Sequence, residues 1–138
     1  IYGAELDWNH VFGGLWVFSG GGSLIVGDNI TGNEPMRRIP PAMCNAVLRY
    51  KLNGSVSFSM NIIGARAQLR LAKGDIQDNR IGPAGTPGYF TGDLRCEMNF
   101  KRATVDIAIL NLRNQRYKTH GSGIYSMGRA VQLLIGIK

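Results

Sequence analysis

The sequence predicts an all-β domain, a sandwich or jelly roll carrying one short helix, and three observations lead there. Nineteen glycines in 138 residues are about twice the usual share of roughly 7 %, and they punctuate short apolar runs instead of gathering in one tract. Two segments alternate strictly. Val56, Phe58, Met60 and Ile62 interleave with Ser55, Ser57, Ser59 and Asn61, and Leu94, Cys96, Met98 and Phe100 interleave with Asp93, Arg95, Glu97 and Asn99. A period of two is that of a strand with one buried face. The spacing of about seven such runs suits a sandwich or jelly roll better than an α/β unit. The length is that of one domain, residues 1–138, and 44 % hydrophobic with 18 % charged residues is the composition of a chain that folds.

In chain order, residues 14–18 and 23–26 read as two strands joined by Gly20-Gly21-Gly22, a loop able to take positive φ. Residues 28–38 are a polar connection, closed by Ile39-Pro40-Pro41, where prolines forbid the interior of a helix or strand. Residues 42–52 are ambiguous. Asn53-Gly54 before the alternating segment could be a hairpin turn, but Met43, Ala46, Val47 and Tyr50 fall at i, i+3, i+4 and i+7, the stripe of a helix. Pro41 suits its first turn and Asn53-Gly54 its end, so a helix is expected over 42–52. Strands follow at 55–62, at 67–71 with Gln68 and Arg70 outward, at 93–100, at Val105, Ile107 and Ile109, and at 131–137. Residues 74–92 form a long aperiodic loop, the kind that carries function or contacts.

Sixteen Lys and Arg against nine Asp and Glu give a net charge of +7. The balance is uneven, because residues 1–36 hold four of the acids and none of the bases. A basic body favours a polyanionic partner, nucleic acid first. No apolar run approaches the roughly 20 residues of a membrane-spanning helix, and the first residues show no signal-peptide pattern, so no membrane partner is expected.

Cys44 and Cys96 leave a single possible bridge, and two buried free thiols are the expectation. With His10 and His120 their spacing matches no zinc pattern. No metal and no cofactor is therefore expected. His120-Gly121-Ser122-Gly123 lacks the nucleophile-elbow context, Asp75 and Asp78 lack the rest of a calcium loop, and Gly20 to Gly22 lead into no phosphate-binding helix. No catalytic residue, no enzyme activity and no small-molecule substrate are expected. The remaining candidates are basic: Arg37, Arg38, Lys101, Arg102, Arg113, Arg116 and Lys118, read as RNA or intersubunit contacts. Eleven of the sixteen bases are Arg, whose planar fork suits phosphate and carboxylate.

One stretch resembles a known family. Ile39-Pro40-Pro41-Ala42-Met43-Cys44-Asn45-Ala46-Val47-Leu48-Arg49, followed by Asn53-Gly54-Ser55-Val56-Ser57-Phe58-Ser59-Met60-Asn61-Ile62, is similar to coat proteins of the picorna-like plant viruses, the secoviruses, and most of all to their comovirus-type small coat protein. Gly22-Ser23-Leu24-Ile25-Val26-Gly27-Asp28-Asn29 also looks like that protein's preceding strand and turn. The specific match covers about residues 22–64, and the family's Trp before the Gly-Ser is absent. The resemblance implies an eight-stranded antiparallel jelly-roll sandwich of viral capsid type, lacking a terminal strand if the chain ends early. It also implies a polyprotein product or trimmed chain beginning at Ile1. The implied function is structural: assembly with other coat-protein subunits into an icosahedral, pseudo-T=3 shell around positive-strand genomic RNA, located in the virion and, during assembly, in host cytoplasm. A small basic β-barrel that binds nucleic acid is the alternative expectation.

Overall fold

The structure is a computed structural model that describes residues 1–138. It is all-β. Seven long antiparallel strands form one sheet: β1 (Tyr2–Phe12), β2 (Trp16–Val26), β5 (Met43–Lys51), β6 (Val56–Ala65), β7 (Tyr89–Asn99), β8 (Ala103–Leu110) and β9 (Ala130–Ile137). Two-residue strands β3 (Asp28–Asn29) and β4 (Glu34–Pro35) pair apart from it, and the only helix is a single turn, α1 (Lys73–Ile76). The long strands are hydrogen-bonded in chain order, β1-β2-β5-β6-β7-β8-β9. A jelly roll divides its strands between two sheets through Greek-key connections. Here every long strand instead pairs with its neighbour in sequence, so the expected two-sheet topology is replaced by a single up-and-down sheet.

The ends of the strands differ in kind. Residues 13–15, 52–55 and 100–102 are short turns at one end of the sheet, whereas residues 27–42, 66–88 and 111–129 are long loops at the other. Gly13 and Gly14 hold φ of 58° and 66° in the first turn, a left-handed conformation that side chains with a Cβ resist. In the second turn the Asn53 side-chain oxygen accepts the Ser55 and Val56 amides at 2.8 and 2.9 Å. Neither Asn53 nor Gly54 has positive φ, so this hairpin is closed by a side chain and not by a type I′ turn.

Three local expectations are corrected. Residues 42–52 are not a helix: β5 pairs residue for residue with β2 on one side and β6 on the other. The deciding pattern is Cys44, Ala46, Leu48 and Tyr50, a period of two that coexists in this stretch with the helical one. Gly20 to Gly22 are not a loop but the middle of β2, where Gly20 faces Trp8 across the β1 pairing and Ala46 across the β5 pairing. A Cβ on Gly20 would stand 2.5 Å from the Trp8 indole. Glycine is there because a Cβ would meet both the Asn45 carbonyl and the ring that lies across the strand. Residues 67–71 form no strand, only a bridge between Gln68 and Thr86, and β1, which sequence patterning left unassigned, is one of the longest strands.

No second layer covers the sheet. Only 14 of 138 residues are buried, and the accessible surface is 9279 Å², against about 7,100 Å² for a compact monomer of 15.1 kDa. Of the few buried apolar side chains, Ala72 and Ile81 lie in a long loop, Tyr89 opens β7 and Ala108 sits in β8; none lies between two sheets. The outer edges of β1 and β9 carry no partner strand.

Candidate functional site

The register sorts the side chains onto two faces of opposite character. One face carries Tyr2, Ala4, Leu6, Trp8, His10 and Phe12 from β1, opposite Val26, Leu24, Gly22, Gly20, Phe18 and Trp16 of β2. It continues through Tyr50, Leu48, Ala46 and Cys44, then Phe58, Met60, Ile62 and Gly64. Cys96, Leu94, Gly92 and Phe90 of β7 come next, then Ile107 and Ile109, and finally Leu133 and Val131. Apart from His10 no titratable side chain other than the two thiols and two tyrosines interrupts it. Its residues are open to the surroundings: Leu6 is 65 %, Leu94 44 % and Leu133 58 % exposed.

Aromatic rings gather on this face beside the short turns. Phe12 stacks on Trp16 at 6.2 Å between centroids, and Trp16 packs on Tyr50 at 4.5 Å; Phe58 follows Tyr50 across the next strand pair. The same face holds a 410 Å³ apolar groove lined by Trp16, Leu48, Phe58, Met60, Leu94 and Ile109 among others. Both cysteines are free thiols and both belong to this face, not to a buried core.

The opposite face is polar. Glu5, Asp7, Ser19, Ser23, Asn45, Arg49, Lys51, Ser57, Ser59 and Asn61 share it, with Asp93, Arg95, Glu97 and Asp106 beyond. Arg95 is paired with Asp106 at 2.9 Å. Near the loop end Asn111 is a hub that the sequence did not single out. Its φ is +50°, its amide donates to Asp93 at 2.8 Å, its side-chain oxygen accepts from Thr91 and Gln115, and its side-chain nitrogen donates to the Gln115 and Met127 carbonyls. Only a short side chain that tolerates the left-handed region can serve all of these at once.

The three long loops are tied into one cap. Gln68 donates to the Ile39 carbonyl at 2.8 Å, Arg70 donates to the Gly27 carbonyl at 2.8 Å and pairs with Asp28, and the Lys73 amide donates to Glu34 at 2.8 Å. At the centre Asp75, 1 % exposed, accepts the Arg38 amide at 3.3 Å and the Ala72 amide at 3.3 Å, with Arg37 at 3.7 Å. Asp78 takes a two-pronged contact from Arg80 at 2.9 and 2.6 Å and another from Arg38 at 3.2 Å. The Arg80 side chain, then its amide, then Arg38 hold the Asp78 carboxyl well below the usual carboxylate range, and Asp78 in turn raises Arg80.

Loop 111–129 joins this cap through Lys118, which donates to the Arg80 carbonyl at 2.5 Å, and through His120, whose Nδ1 lies 2.9 Å from the Thr86 hydroxyl. Burial pushes the His120 imidazole below its ordinary value, partly opposed by Asp75 and Asp78, and its Nε2 is buried without a partner. Tyr89 stacks on Tyr117 at 4.1 Å, and burial, then Tyr117, raises its hydroxyl.

The basic candidates therefore do not form one patch. Arg37 and Arg38 are engaged with Asp75 and Asp78. Arg113 stands over Phe90 at 5.8 Å and Arg116 over Tyr125 at 4.1 Å, while Lys118 holds the cap. Lys101 and Arg102 are in the short turn between β7 and β8, at the far end of a strand about 25 Å long. No three His, Cys, Asp or Glu side chains converge as metal ligands, and no helix is long and apolar enough to cross a membrane.

No protein-family description and no curated protein matches the chain. Among solved structures, a chain titled copper transporter OprC superposes with a TM-score of 0.83 over 96 % of this chain at 17 % identity. The likeness is one of fold. This chain spans 22 % of that protein's length.

Proposed function

We propose that this chain is a wall segment of a membrane-spanning β-barrel transporter, with its apolar face against lipid and its polar face lining the interior. The observation that carries the reading is the apolar face, interrupted only by His10, that runs across all seven strands with no second layer to cover it. In water such a face would have to be buried by other protein. In a bilayer it is the surface required, because spanning backbone must satisfy its hydrogen bonds internally, as a closed antiparallel barrel does.

Five further features support it. Strands of 8 to 11 residues are close to the roughly 9 to 11 that cross a bilayer when tilted. Faces alternate apolar and polar along the strands from β1 to β8 and least in β9, aromatic rings cluster at one end of the apolar face, and short turns oppose long loops. The unpaired outer edges of β1 and β9 are where further strands would close the barrel, in keeping with a chain that spans a fifth of its neighbour. The superposed protein is a copper transporter.

The test uses adjacent residues of β6. Nitroxides placed singly by Met60→Cys and Asn61→Cys, in a Cys44→Ser, Cys96→Ser background and in bilayers, should report opposite surroundings: oxygen-accessible at 60, accessible to an aqueous nickel chelate at 61. Aqueous exposure at both positions would sink the proposal. RNA-bearing particles of about thirty nanometres from native material, on the scale of a shell much larger than one domain, would return the coat-protein expectation to the front.

A further inference from the structure

We infer that Arg113 and Arg129 form a binding site for the phosphate of a lipid headgroup at the loop-side rim of the apolar face; the inference rests on the membrane-wall reading and names a partner for that face. Loop 111–129 carries four bases, Arg113, Arg116, Lys118 and Arg129, and no acid. None of the four is in an ion pair, although the bases of the two other long loops largely are. Each of the four has an uncharged partner: Lys118 the Arg80 carbonyl, Arg129 the Leu112 carbonyl, Arg116 the Tyr125 ring and Arg113 the Phe90 ring.

What sets Arg113 and Arg129 apart is their place at the border of the apolar face. Arg113 lies over the ring of Phe90, which is the last side chain of β7 on that face at the loop end and is 46 % exposed. Arg129 immediately precedes β9, two residues before Val131 of the same face. It is fixed beside Arg113 by two bonds into the same stretch, its amide to Asn114 at 2.9 Å and its Nη2 to the Leu112 carbonyl at 2.6 Å. Two guanidiniums without carboxylates, seated where an apolar surface ends, match a molecule that is anionic at its head and apolar below it. A planar fork offers paired donors to phosphate oxygens. RNA would stack a base on Phe90 but has no use for the aliphatic Val131 surface beside it, which is why the lipid is preferred.

The experiment places the protein in phosphatidylcholine nanodiscs doped with nitroxide-labelled phosphatidic acid or labelled phosphatidylcholine, and measures the motionally restricted fraction of each. Phosphatidic acid should be preferred. Arg113→Gln and Arg129→Gln should each lower that preference about fivefold, whereas Arg116→Gln, an equal loss of charge in the same loop, should change it less than about twofold. Equal effects at positions 113 and 116, or no preference in the unaltered protein, would overturn the site. So would displacement of the labelled lipid by inorganic phosphate, which would assign the pair to a soluble anion. The nitroxide pair at positions 60 and 61 separates the failures: lipid exposure at 60 without phosphatidic acid preference rejects only this site, and aqueous exposure at 60 rejects the wall reading and the site together.

Discussion

Arg38 holds a φ of +56°, a conformation that costs a non-glycine residue on the order of 1 kcal/mol or more, and it does so because its amide is then aimed at the buried Asp75 carboxylate. Asp75→Asn keeps the shape and removes the charge from these bonds, and is expected to destabilise the cap by about 1.5–3 kcal/mol. Faster amide exchange at Arg38 and Ala72, with β6 unaffected, would be the measured sign. His120 gives the cap a pH dependence. Its imidazole is depressed in the folded state by burial, so an opened loop takes up a proton more readily than a closed one. The contribution of the neutral ring is thus complete above the ordinary histidine value of about 6.5 and is lost as pH falls below it. The neighbouring charges do not obscure this window. Asp78 is held well below that window by Arg80 and Arg38, and Asp78 in turn raises Arg80 further above it. Exchange protection in residues 111–129, corrected for intrinsic rates, should fall between pH 7.5 and 5.5 in the native chain and stay level in His120→Gln. An equal fall in the variant would assign the effect to another group.

At the scale of elements, legibility depended on whether a strand's period could be seen without its partners. The segments around Val56–Ala65 and Tyr89–Asn99 alternate so cleanly that their central residues were readable from sequence alone. β5 was not, because residues 42–52 satisfy both periods, and only pairing to β2 and β6 selects the strand. β2 was hidden by Gly20, Gly21 and Gly22, residues that ordinarily weaken a strand; of these, Gly20 makes room for Trp8 from β1. That account has a test. Gly20→Val supplies the β-branched side chain that a strand favours, yet it should destabilise the sheet by about 1–3 kcal/mol, because it must displace the indole. Trp8→Ala should relieve the ring's share of that penalty, leaving the share of the Asn45 carbonyl, so the two substitutions together should cost less than the sum of each alone. Additive costs would mean that Gly20 is required by something other than the ring, such as the close Asn45 carbonyl. The candidate site was legible in parts. The acid-free run of bases in loop 111–129 is visible in the sequence, but the pairing of Arg37 and Arg38 with Asp75 and Asp78, 37 to 40 residues away, is a tertiary fact with no local signature.

For the whole molecule, the same alternation supports two opposite worlds. A sheet with one apolar face can turn that face to a second sheet or to lipid, and the sequence of each strand reads alike in both. Only the sequential strand order, the absent second layer and the asymmetry between turns and loops separate them. β9 offers a direct test because Leu133 and Leu134 are neighbours of the same type on opposite faces: Leu133 lies across from Ile107, and Leu134 across from Asp106. If the apolar face meets lipid, Leu133→Arg exposes a guanidinium to hydrocarbon and should destabilise the bilayer-embedded protein by about 2–4 kcal/mol if the position lies near the midplane. Leu134→Arg places the same charge on the polar face beside Asp106 and Arg95, and should cost far less. Denaturant midpoints in lipid vesicles would measure both. A sheet bathed in water on both sides would show little difference between the two variants, since Leu133 and Leu134 are comparably exposed, at 58 % and 51 %. The asymmetry itself, more than either value, is what lipid contact requires.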